Sequence, residues 1–150
     1  MATTKYNGKS IQELAGYTDS IRITHEDLTA SATSETITKT VKAGQQVRGV
    51  AFKVHTAFDG GSTSALKLDV GDGDDADGYI DNEEIHVDAS EVLFGPALDG
   101  LLTGKTYAAD DTIDILFSAT GANVSVLDAG EVEIFFNIIS LNEVSADFAG

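Results

Sequence analysis

The chain has 150 residues, room for one domain with a real core and too few for two ordinary ones. Aliphatic and aromatic residues make up 42% of it, seven Phe and four Tyr among them, a globular rather than a disordered composition. With 25 acids against 9 bases the formal charge is -16, which argues against phosphate backbones and anionic headgroups as partners, and the lack of Cys removes disulfides, thiolate zinc sites and Cys nucleophiles.

The N-terminal run MATTKYNGKSIQELAG lacks the apolar core of a secretory signal, and no stretch of about 18 apolar residues follows it, so the expectation is a chain made soluble in the cytoplasm. Residues 1–16 are polar and read as an extended arm, within which Ser10 to Ala15 predicts one helical turn with Ser10 as N-cap and Glu13 closing a capping box. From residue 17 onward the apolar positions recur with a period of two, the signature of strands. Ile21 and Ile23 alternate with Arg22 and Thr24; Ile37, Lys39 and Val41 share one face of a Thr-rich run. Phe52, Val54, Thr56 and Phe58 form the inward face of a long strand starting near Val47. Gly60 and Gly61 open a turn into Leu66, Leu68 and Val70, so residues 50–70 predict a long hairpin. Residues 82–94 fit a strand or a helix equally. Ile113, Ile115 and Phe117, then Val132, Ile134, Phe136 and Ile138, mark the core strands of the C-terminal half. Seven or eight strands bounded by Gly, Asp and Asn turns predict an all-β domain over 17–150, an antiparallel β-sandwich of jelly-roll type with an extended N-terminal arm.

The stretch from Asp69 to Glu84, DVGDGDDADGYIDNEE, holds eight carboxylates and no base. A calcium hand needs six to eight oxygens around one tight loop. With Gly78 as the central glycine, Gly73 falls at the first ligand position and carries no oxygen on a side chain, and the preceding residues alternate as a strand instead of an entering helix. An EF-hand is therefore excluded. A calcium site on a β-hairpin loop stays open, with Asp75, Asp77, Asp81 and Glu84 as its candidate ligands, beside the plainer and stronger reading of a solvated turn rich in Asx-turns. No other cofactor is expected.

Thr103 to Thr106 reads TGKT, yet a phosphate-binding loop needs Gly at position 99, which is Asp99, and a helix afterwards, where the pattern predicts a strand. His25, His55 and His86 stand apart in sequence with no metal-ligand spacing, the latter two expected on polar strand faces. No nucleophile, base and orienting group can be named together, so the chain is not expected to be an enzyme.

Four runs resemble a group of small virion structural proteins of tailed bacteriophages: SIRITHEDL, VKAGQQVRGVAFKVHTAFDGGSTSALKLDVGDGDDADGYID, KTYAADDTIDILF and DAGEVEIFFNII. The resemblance implies a head decoration, or cement, protein that binds the outside of the expanded icosahedral shell. Its partner would be the major capsid protein, its place the outer surface of the head, and its state a homo-oligomer, a trimer favoured over a dimer on family analogy. The arm would then lie across a neighbouring subunit. The alternatives are a tail- or fibre-associated virion sandwich and a calcium- or carbohydrate-binding β-module, the latter suggested by the acidic loop and by Tyr79 and Tyr107 beside turns.

Overall fold

Period-two alternation of β-branched and aromatic residues with polar ones builds a strand whose one face can be buried. Most of the chain is written that way. The computed structural model describes residues 16–87 and 104–142, together with the backbone of Lys5–Tyr6 and Lys9–Ser10. Its strands in chain order are β1 (Lys5–Tyr6), β2 (Lys9–Ser10), β3 (Asp19–Thr24), β4 (Ser34–Val41), β5 (Gln45–Asp59), β6 (Ala65–Gly71), β7 (Ile80–Glu84), β8 (Lys105–Thr106), β9 (Asp111–Thr120) and β10 (Ala129–Ser140). Short 3₁₀ turns lie at His25–Asp27 and Val124–Val126.

Two four-stranded antiparallel sheets face each other, the first in the order β3-β10-β5-β8 and the second in the order β4-β9-β6-β7. Strands β3 to β6 alternate between the sheets, β7 stays beside β6, and β8, β9 and β10 alternate again. This is the eight-strand jelly roll that the sequence predicts. Among the described residues, strands β1 and β2 pair with each other, Lys5 opposite Ser10 and Tyr6 opposite Lys9. Residues 11–15, which hold most of the predicted helical turn, and residues 88–94 of the ambiguous segment lie outside the described residues.

Between the sheets Phe52, Phe58, Phe117 and Phe136 are buried completely, with Leu66, Leu68, Ile113, Ile115 and Ile134 around them. Each such side chain stabilises the fold by about 1.5–3 kcal/mol through the apolar area it removes from water. At the open side, Lys39 points inward from edge strand β4, pairs with Asp19 of β3 at 3.3 Å and lies 5.4 Å from the centroid of the Phe136 ring. A charge facing inward on an edge strand blunts pairing with other chains, and here it also ties the two sheets together.

Three local expectations are corrected. Residues 50–70 do not form a hairpin: β5 pairs with β10 and β8, β6 pairs with β9 and β7, and the Gly60–Gly61 turn carries the chain from one sheet to the other. Alternation alone cannot report this, because both strands bury one face whichever partner they take. Thr56 is exposed rather than inward, since the register steps from Thr56↔Glu131 to Val54↔Val132 and the extra residue, His55, forms a bulge. His86 is buried at 5% exposure instead of lying on a polar face, and bridges to Phe58.

Candidate functional site

The acidic stretch is the connection between the paired strands β6 and β7, at one end of the sandwich. Its organising residue is Asp72, 3% exposed, which was not among the predicted ligands. The inward parity of Leu66, Leu68 and Val70 continues to Asp72, so the alternation did carry a signal for it. One carboxylate oxygen, Oδ1, accepts the amides of Asp74 at 3.0 Å and Asp75 at 3.1 Å, an Asx-type turn that starts the loop. The carbonyl of Asp75 in turn accepts the amides of Asp72 at 2.9 Å and Gly78 at 3.3 Å. This folds the loop back on the end of β6, where a Cβ on Gly71 would overlap the backbone of Asp75 and Ala76.

The other oxygen, Oδ2, accepts the Lys105 ammonium and the Tyr107 phenol, both at 2.6 Å, and the Tyr107 and Tyr79 hydroxyls lie 2.9 Å apart. Lys105 also reaches Asp74 at 3.1 Å and sits 5.1 Å from the Tyr107 ring centroid. Because Lys105 belongs to β8 and the Tyr107 backbone bonds to Gly44 and Gln45, the cluster ties the first sheet to a loop of the second. Burial pushes the Asp72 carboxyl up, but its bonds from Lys105, Tyr107 and the two amides outweigh that and hold it below its ordinary value. Burial, then the bond to Asp72, pushes the Tyr107 hydroxyl up. Burial would lower the Lys105 ammonium, and its two carboxylate partners raise it instead. The group is thus held as a charged pair with a neutral phenol donor, a charge-assisted arrangement stronger than a neutral bond.

Of the four predicted calcium ligands, Asp75, Asp77 and Asp81 are exposed. Glu84 is occupied: its Oε1 accepts the amides of Leu66 at 2.9 Å and His86 at 3.0 Å, and Lys67 lies 3.4 Å from Oε2. Among the described residues no three His, Asp or Glu side chains gather as a metal-binding group. The loop leaves from a strand, as the exclusion of an EF-hand requires. Tyr79 and Tyr107, which suggested a carbohydrate platform, are each 3% exposed and spend their hydroxyls on the Asp72 cluster. In the TGKT run, Thr103 lies outside the described residues, and Gly104, at φ 78°, leads into the strand β8.

A second cluster lies on the outer face of the first sheet. Glu133, 6% exposed, accepts from Ser20 at 3.0 Å, lies 3.0 Å from His55 Nε2 and pairs with Arg22 at 3.5 Å. Arg22 reaches Glu131 as well, at 3.2 Å. At the end of the sandwich opposite the acidic loop, an open groove of about 490 Å³ is lined by Thr24, His25, Glu26, Thr56 and Glu131 among others.

Fold and site define a jelly-roll β-sandwich with a stapled acidic loop. Compared with family models, curated proteins and solved structures, the chain matches none.

Proposed function

We propose that the chain is a capsid decoration protein of a tailed bacteriophage. It binds the outer surface of the icosahedral head through the major capsid protein and stabilises contacts between capsomers, without catalysing a reaction. The observation that carries the reading is the strand order: the jelly roll is a fold that viral capsid domains use, as do lectins. Alone this is fold-level analogy. The four runs quoted above add sequence resemblance, and they supply β5, β6 and β8 and most of β3, β9 and β10. The Asp72 cluster supports the same reading, because it fixes the loop backbone that carries the exposed acids Asp74, Asp75 and Asp77, suited to a basic counter-surface. Several linked copies would multiply a modest contact.

Purified protein added to bare expanded shells tests this. The expected result is co-sedimentation at a fixed ratio to the capsomers and a higher melting temperature of the shell. Protein left in the supernatant at all concentrations overturns the proposal, and labelled antibody bound to tails instead of heads moves the chain to the tail.

A further inference from the structure

The outer face of the first sheet differs from the rest of this chain in charge. Across β3, β10 and β5 the register lays out three rows: Thr24, Glu131 and Thr56; Arg22, Glu133 and Lys53; Ser20, Phe135 and Ala51. These three rows carry two acids and two bases, in a chain with 25 acids and 9 bases. Both acids are already paired, with Arg22, and Glu133 with His55 and Ser20 too. Lys53 has no carboxylate within ion-pair distance among the described residues and is half-buried. The next row carries no charge. Phe135 stands 5.7 Å from the Tyr17 ring, centroid to centroid, and Ala51 is 7% exposed although it lies outside the core between the sheets.

We infer that two copies of the chain meet here, sheet against sheet, around Phe135. Copies of a chain at -16 repel one another over most of their surface, and a charge-balanced face is where they can approach. A face with rows of both signs complements itself when turned about a two-fold axis, and each Lys53 then finds an acid on the other copy. Small residues at Ser20, Ala51 and Gly49 surround Phe135 and leave its ring, with Tyr17 beside it, to stand as the anchor of the contact, where two sheets can come within the roughly 10 Å of ordinary sheet packing. An isologous contact of this kind closes as a dimer. The inference does not depend on shell binding.

Sedimentation of the full chain over a range of concentrations tests it, with twice the chain mass expected. Lys53→Glu leaves its own sheet with no broken ion pair but makes the face acidic, and is expected to weaken association about tenfold, with partial recovery in about 0.5 M salt. Because the chain has no Cys, single-cysteine variants report the contact directly: Asn137→Cys, on this face beside Gly49, should cross-link through a short bis-maleimide, whereas Thr38→Cys, on the outer face of the second sheet, should not. A monomer at every concentration, association unchanged by Lys53→Glu, or equal cross-linking by Thr38→Cys overturns the inference. A trimer mass overturns the two-fold contact while leaving the decoration proposal standing, and a dimer that ignores shells does the reverse.

Discussion

The Tyr107 phenol donates to the Asp72 carboxylate at 2.6 Å across the gap between the two sheets, at a point where neither residue is more than 3% exposed. A hydrogen bond to a charged group is worth about 1.5–3 kcal/mol when its partner would otherwise be left buried and short of a donor. Tyr107→Phe is therefore expected to cost about 2 kcal/mol. Asp72→Asn, which also takes from Lys105 the buried one of its two carboxylate partners, should cost about 3 kcal/mol. Since the two residues share one bond, the double variant should cost less than the sum by at least about 0.5 kcal/mol. Urea unfolding of the four proteins measures this, and additive costs would mean that the contact contributes nothing of its own.

The same cluster sets a pH window. Asp72 and Glu84 have folded-state pKa values below their ordinary ones; in Glu84 the effect of burial is outweighed by the amides of Leu66 and His86 and by Lys67. The stability these groups contribute is present above the unfolded carboxyl pKa, about 4, and is lost as pH falls through the folded values. Lys105 and Tyr107 are raised, so their contribution is present below about pH 10 and is lost as pH rises from there through the folded values. The urea midpoint should thus be flat from about pH 5 to 9 and fall on both sides. In Asp72→Asn the acid limb should be shallower, and an unchanged limb would remove Asp72 from the account.

Much of this fold was legible because alternation is dictated by the pleat. Ile113, Ile115 and Phe117 face the core, as their spacing says, and so do Val132, Ile134 and Phe136. What alternation cannot encode is the partner: Phe52 and Leu66 look like two arms of one hairpin, yet lie in opposite sheets, because a strand's apolar face fits either arrangement. A bulge hides for the same reason, and Thr56 was assigned to the wrong face by a single inserted residue. At the candidate site, attention to acid spacing singled out Asp75, Asp77, Asp81 and Glu84 and passed over Asp72. Long-range partners such as Lys105 and Tyr107, more than thirty positions away, decide which carboxylate in a crowded loop is buried.

The exposed acids of the loop should behave differently from Asp72. Asp75→Ala combined with Asp77→Ala removes side chains that lie in water, so stability is expected to stay within about 0.5 kcal/mol of the parent, as the backbone bonds of Asp75 survive the change. Calorimetry with calcium on the same pair of proteins examines the cation expectation separately. Heat present in the parent and lost in the variant supports a site there, and equal heats remove it.

Gly71 is the contact on which the loop rests. A methyl group at this position meets the carbonyl of Asp75 and the backbone of Ala76, atoms that cannot swing aside as a side chain would. Gly71→Ala therefore has to lift the loop, and with it the bond from the Asp72 amide to the Asp75 carbonyl and the two amide bonds to Asp72 Oδ1. The expected cost is about 2–3 kcal/mol, in the range of overpacking at a site with no room to relax. Hydrogen exchange locates the effect: the amides of Asp72, Asp74 and Asp75 should lose protection, while those of β9, at the centre of the second sheet, keep theirs. If Gly71→Ala left those three amides as protected as before, the loop would not be held in the folded-back form described here. If β9 lost protection equally, the damage would be to the sheet, and Gly71 would be a strand residue first and a loop seat second.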